Sequence, residues 1–484
     1  MGTGGAFLAM AGACARRPDP SAGADMADWD AVETAARIKS GEVSAAEVVE
    51  GAIARTERIN PAINAIAAKT YARAREAAPE ARGPWAGVPT FIKDLDDVKG
   101  APTGFGSRGF RGYRGSTQTP LTNAYLGMGV VSLGKSATPE FGLSATTEPM
   151  RGGATRNPWN TDYSCGGSSG GAAALVAAGA VPVAHASDGG GSIRIPASCC
   201  GTVGLKVSRE RFPEARPTTA GPIVISVHGV QSRTVRDTAA VIAAMETPPA
   251  VSGLAPVGLI AGPSDRRLKI AYVARGLRGT ALDPEVEAAT DRAAALCESL
   301  GHVVEPFVLP FDPAMEEDFV LYWAAFAHEA ISLWEKKLNL PRNGLAFEKF
   351  TLGLARHYEA NVGRFDEAVA RLQTVPAQTA AIFSDHDVIL SPVVAAPPPP
   401  IGFLDGRLGF DVLMARLTDY VQFTSLYNLA GNPAISLPLS MSEKGLPIGA
   451  MFAAADGDEK TLLELSYELE EAAPWRARRP AVFG

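Results

Sequence analysis

Residues 165–196 read "CGGSSGGAAALVAAGAVPVAHASDGGGSIRIP". Two glycine ledges, one beginning at Cys165 and one at Asp188, each present a serine, Ser168 and Ser192. Between them, "AAALVAAGA" reads as a buried helix and "VPVAHAS" as a short buried strand. A helix feeding a buried strand is the repeating unit of an α/β fold, and the alternation continues in both directions. Upstream, "WAGVPTFIKDL" and "VVSLGKS" predict buried strands. Downstream, "KIAYV", "HVVEPFVLP" and "DVILSPVVAAPPPP" predict three more. Ser44-Ala-Ala-Glu47 forms a capping box, followed by Val48, Val49, Ala52, Ile53 and Ile59 at helical spacing, with Asn60-Pro61 expected to stop the helix. Asp283-Pro284 opens another helix that ends at Gly301. Helical sequence runs on to about residue 384, and Leu462, Leu465 and Leu469 share one face near the end. Residues 100–120, punctuated by glycine, arginine and aromatics, read as a long loop. No linker divides the chain, so residues 26–484 are expected to form one α/β domain around a largely buried sheet.

Composition narrows the function classes. The chain has 484 residues, 46% hydrophobic and 20% charged, as in ordinary globular proteins. Its net charge of −7, from 45 Lys+Arg against 52 Asp+Glu, argues against a nucleic-acid binder. No apolar run reaches the roughly 18 residues of a membrane span. Five cysteines (Cys14, Cys165, Cys199, Cys200 and Cys297) are odd in number and lack C-x-x-C spacing, which predicts free thiols. The six histidines show no metal-binding spacing, since Ser332 breaks the pattern begun by His328-Glu329, so no metal is expected. Residues 1–25 resemble the back half of an export signal without its basic front, and they are set apart from the fold. The expected location is the cytoplasm, or outside it if that segment is the remainder of a signal.

The glycine ledges exclude two readings and favour a third. "GGSSGGAA" lacks the Lys-Ser/Thr of a phosphate-binding loop, and a Pro/Asn turn rather than a strand precedes it. The G-x-S-x-G elbow is absent around both serines. "DGGGS" does offer main-chain N–H groups free of Cβ hindrance at Gly189, Gly190 and Gly191, beside Ser192. Convergent N–H groups next to a serine make an oxyanion hole, so Ser192 is a candidate nucleophile. A serine hydroxyl needs a base. Burial lowers a lysine's pKa, and Lys93 sits where an apolar strand turns polar, although pairing with Asp94 or Asp97 would also explain it. Ser168 is placed to pass a proton between Lys93 and Ser192, or to serve as a turn or cap residue.

Taken together, "GVPTFIKD", "GKSATPEFG", "GATRNPWN", "GGSSGG", "DGGGSIRIPASCCGTVGLK" and "NLAGNPAISLPL" resemble, in order, the amidase signature family across most of residues 27–484. The resemblance implies a single α/β/α domain on a large mixed β-sheet covered by helices. It implies a Ser–cis-Ser–Lys triad in which Ser192 is the nucleophile, Ser168 the bridging serine after a cis peptide bond, and Lys93 the base. Gly189, Gly190 and Gly191, with Ser192, match the oxyanion stretch. Asp188 and Arg194 match bracing positions, and Ser169 a hydrogen-bonding neighbour. Gly190 stands where relatives often carry a larger side chain, which suggests a roomier pocket floor.

Within the family, "TTEPMRGGATRNPWN" and "APWRARRP" resemble most the 6-aminohexanoate cyclic dimer hydrolases and related amidases and urethanases. The implied activity is hydrolysis of C–N bonds in small-molecule or oligomeric amides, with no cofactor, metal, nucleic acid or membrane. Carbamate hydrolysis by the same groups is the first alternative. A glutamine amidotransferase subunit and a catalytically silent scaffold are the others. A homodimer is compatible with this reading.

Overall fold

The computed structural model describes residue 1 and residues 26–213 and 221–484. Beyond Met1, the segment expected to be signal-like lies outside the described residues.

Eleven strands form among the described residues: β1 (Ile66–Lys69), β2 (Pro89–Lys93), β3 (Val131–Ser136), β4 (Val183–Asp188), β5 (Val203–Lys206), β6 (Val227–Ser232), β7 (Lys269–Tyr272), β8 (Val303–Pro306), β9 (Val388–Pro392), β10 (Ala434–Met441) and β11 (Pro447–Ala454). Eight of them make one mixed sheet in the order β4-β6-β5-β10-β11-β9-β7-β8. The pairs from β4 to β9 are antiparallel, and β7 runs parallel to both β9 and β8. A second sheet, β1-β3-β2, lies against the β4 edge, where the Thr90 hydroxyl donates to the Val183 carbonyl at 3.0 Å.

Side chains on the central strands alternate between two cores, as the pleat requires. Leu390 and Phe452 enter one core with the helices Val235–Met245, Pro284–Ser299 and Glu459–Ala472. Ile389 and Met451 enter the other with Tyr322, Leu354 and Leu417 from the helical stretch after residue 313. That is the α/β/α layering the sequence implies. A third core joins β3 to the helix Gly170–Ala177 and to the capping-box helix Ala45–Ile63.

Both halves of the capping box are formed at Ser44 and Glu47, but Asn60-Pro61 does not stop the helix. Pro61 removes the bond to the carbonyl four residues back, yet the chain stays helical through Ile63 and ends at Asn64 in the left-handed region. Strands β1, β5, β6, β10 and β11 were not expected from periodicity. The expected loop around residues 104–116 is ordered by its own rings. Phe105 and Phe110 stand 4.8 Å apart, Phe110 meets Trp334 edge-on at 4.7 Å, and Tyr113 and Phe141 complete the cluster. Phe141 carries this packing to the wall of the central cavity.

Candidate active site

The site forms where β2 and β4 end side by side. All five residues of β2 are buried, and Lys93 is its last. The strand therefore drives an amine into the protein interior, where it is 0% exposed. Among the described residues Lys93 forms no ion pair. Asp94 instead accepts from the Gly104 N–H at 2.9 Å, and Asp97 accepts from the Tyr113 hydroxyl at 3.1 Å. Lys93 Nζ lies 2.8 Å from Ser168 Oγ, 3.0 Å from Ser187 Oγ and 3.2 Å from the Ser187 carbonyl oxygen. Burial pushes its pKa down to about 7, against the opposing influence of Asp96 and Asp188. A neutral amine has two N–H groups and one lone pair. The two Ser187 oxygens accept the former, and the Ser168 hydroxyl is placed to donate to the latter.

Ser168 follows a cis peptide bond from Gly167 and is almost fully buried. Ser169 fixes this ledge to β4. Its hydroxyl donates to the Ser187 carbonyl at 3.1 Å and accepts from the Ser187 N–H at 3.2 Å. Its own N–H donates to the Ser192 carbonyl at 3.2 Å, which ties the two serine ledges together. Ser168 and Ser192 both line one cavity of about 220 Å³, and Ser192 is partly open to it. Around them the walls are apolar, with Phe141, Leu143, Ile195, Phe319, Trp323 and Met414.

Asp188 and Arg194 brace the second ledge with a buried bidentate pair, both contacts 2.9 Å. Burial alone would raise the Asp188 pKa, but Arg194, Asn428 and Lys206 outweigh it and hold the carboxyl well below the usual range. Asp188 also accepts from the Gly191 N–H at 2.7 Å and the Ile193 N–H at 3.1 Å. This corrects the expected donor set. The Gly191 N–H is already taken, whereas Gly189, Gly190 and Ser192 line the cavity and, among the described residues, have no acceptor for theirs. The role of Gly191 is conformational. Its φ is +127°, and a Cβ there would fall 2.4 Å from Thr424 Oγ1. Nor is the space at Gly190 empty, since a Cβ would stand 3.3 Å from the Phe319 ring.

Several contributors went unmarked in the sequence reading. Asn428 donates to the Asp188 carbonyl at 3.0 Å and its carboxylate at 2.9 Å, and accepts from Arg194 at 2.7 Å. The Thr424 hydroxyl donates to the Gly190 carbonyl at 2.6 Å. Asn428 opens the quoted "NLAGNPAISLPL" block, so its position was visible although its partner was not. Ser187 carried no signal beyond its place before Asp188. The fold also gathers Asp96, His185 and His228, whose ligating atoms lie within 4.8 Å of one another, a grouping no local spacing announces. His185 is hydrogen-bonded on both sides, by the Lys93 N–H at 3.3 Å and to His228 at 3.1 Å. Burial pushes its pKa down to about 3, so it is neutral beneath the lysine.

Comparison with known proteins gives a consistent result. Residues 47–463 match the family model described as Amidase. Amidase AmiC of Mycobacterium tuberculosis is 45% identical over 93% of this chain and 96% of its own length. The 6-aminohexanoate-cyclic-dimer hydrolase of Pseudomonas sp. strain NK87 is 36% identical over 93% of this chain and 96% of its own. A solved 6-aminohexanoate cyclic dimer hydrolase complexed with substrate superposes with a TM-score of 0.87 at 32% identity, covering 95% of this chain and 100% of that one. No helix among the described residues is long and apolar enough to cross a membrane.

Proposed function

The chain belongs to the amidase signature family and is a hydrolase of non-peptide amide C–N bonds; from that premise we propose that it cleaves small-molecule or oligomeric amides through an acyl-enzyme on Ser192. The observation that carries this reading is Lys93, a buried amine with no carboxylate ion-pair partner among the described residues, 2.8 Å from the Ser168 hydroxyl. In the proposed sequence, neutral Lys93 takes the Ser168 proton as Ser168 takes that of Ser192. The Ser192 oxygen then bonds to the substrate carbonyl carbon. The oxyanion gathers the main-chain N–H groups of Gly189, Gly190 and Ser192, in a site where such donors act at low dielectric. Collapse of the intermediate breaks the C–N bond, and the relayed proton leaves with the amine. Water, deprotonated through the same relay, then bonds to the acyl carbon and releases the acid, returning the proton to Ser192.

The apolar walls favour aryl or alkyl groups flanking the carbonyl. The test is turnover of a 4-nitroanilide by the purified protein, with mass spectrometry of a slowly deacylating substrate. An acyl adduct on the peptide containing Ser192, and loss of both adduct and turnover in Ser192→Ala, are expected. Undiminished turnover in Ser192→Ala would refute the assignment.

A further inference from the structure

The glycine- and arginine-punctuated stretch at residues 100–120 has no part in the proposed chemistry, yet it backs one wall of the central cavity. Phe105 and Phe141 both hold left-handed backbone conformations, each with φ of +51°, which bulky side chains rarely adopt. Main-chain hydrogen bonds chain them to the strand end that carries Lys93. The Phe105 N–H donates to the Asp94 carbonyl at 3.0 Å, and the Phe141 N–H to the Phe105 carbonyl at 2.8 Å. Next in sequence, Gly142 lies so close to Ser168 that a Cβ there would stand 3.2 Å from its hydroxyl oxygen. This turn places the Phe141 ring in the cavity wall beside the relay. Phe110 at 5.8 Å, Phe347 at 6.1 Å and Phe105 at 6.4 Å pack against that ring, and Trp334 packs against Phe105 and Phe110. None of these four lines the cavity, so they support Phe141 from its far side.

We propose that Phe141 is a specificity residue, a stop that sets the length of the unbranched apolar chain the cavity takes on one flank of the scissile carbonyl. Phe110, Phe347 and Trp334 are then positioning residues that hold the stop in place. This rests on the amide-hydrolase reading above and adds to it a limit on the substrate's apolar half.

The physical reason is that the wall does not yield. Glycine is the least strained residue at a left-handed turn, so the Phe141 ring is kept against local preference. Protein interiors are close-packed, and the ring moves only if the rings behind it move. Each methylene that still fits raises kcat/KM about fourfold by burial. The first one to meet the ring overpacks the wall, at a loss of about fivefold to a hundredfold. Chain length therefore has a sharp upper bound.

The test measures kcat/KM for two series of linear homologues. One extends the acyl chain of a 4-nitroanilide from acetyl to decanoyl, and the other extends the amine of an acetamide from ethyl to decyl. In one series kcat/KM is expected to climb and then drop at one chain length, and the series that shows the drop identifies the flank. Phe141→Ala should carry the climb about two methylenes further, raising the long-to-short ratio of kcat/KM at those lengths by about tenfold or more. Phe110→Leu, which thins the support without touching the cavity, should raise that ratio by less. Phe141→Gly relieves the left-handed turn and supplies the same reading if Phe141→Ala does not fold. Binding of both series to Ser192→Ala reads the stop apart from the chemistry. A drop in affinity at one length, with no turnover by the wild-type protein, would overturn the hydrolysis reading and uphold the stop. No drop in either series, or a drop at the wild-type length in a folded Phe141 variant, would overturn the stop.

Discussion

Acidification is the most direct perturbation of the proposed relay, because only the neutral form of Lys93 accepts a proton. Its pKa lies at about 7, pushed down by burial. By the titration relation, the neutral fraction is about 1% at pH 5, about half at pH 7 and roughly 90% at pH 8. An exposed lysine would be only about 0.3% neutral at pH 8, so burial supplies roughly 300 times more base there. The sign is therefore fixed: kcat/KM rises with pH, with unit slope below the pKa, and levels off above it. The assay is kcat/KM between pH 5 and 10 on an anilide that does not titrate in that range, with Ser192→Ala as the blank. Lys93→Arg retains the cation but does not deprotonate, and it should lose at least about a thousandfold at every pH. A limb above pH 9, a rate that falls as pH rises, or a Lys93→Arg variant with the wild-type profile would refute the reasoning.

Asp188→Asn leaves the buried Arg194 without its counter-charge, a loss of about 3–5 kcal/mol that denaturant unfolding would register. Because the Asp188 pKa is held down in the folded state, its contribution is present above the ordinary carboxylate pKa and is lost as pH falls through the folded value. The wild-type advantage over Asp188→Asn should therefore shrink in acid. Gly191→Ala combines a positive φ with a clash against Thr424, and about 1–3 kcal/mol of strain at this turn should appear as a lowered kcat on every amide tested. Gly190→Leu should displace the Phe319 ring and raise KM most for bulky substrates, with Phe319→Ala restoring part of the loss; unchanged substrate ranking in both variants would count against this packing. Cys165, Cys199, Cys200 and Cys297 are buried free thiols, so a thiol reagent should label them only after denaturation.

How much of this was legible depended on the range of the interactions. The two ledges, Lys93 and the alternation between them are written in short stretches, and glycine runs and apolar strands carry local meaning. Asp188 and Arg194 lie six residues apart and were within reach of the same reading. By contrast, β10 and β11 pair with each other and with β5 and β9 across long separations, and their burial on both faces erases the two-residue alternation that would have marked them. The loss of the Gly191 N–H to Asp188 was equally hidden, since glycines adjacent in sequence look like interchangeable donors until the turn fixes which way each amide points.

The dependence of the Asp188 carboxylate on Asn428 has a consequence for biosynthesis. The loop that carries Ser192 emerges from the ribosome some 240 residues before the side chain that completes its bracing. A nascent chain that has exposed Ser192 still lacks Thr424, Asn428 and strand β10, which closes the sheet beside β5. On the proposed mechanism, hydrolytic competence therefore waits until residue 428 and β10 have been made, and chains released before that point carry Ser192 without the scaffold that braces its loop.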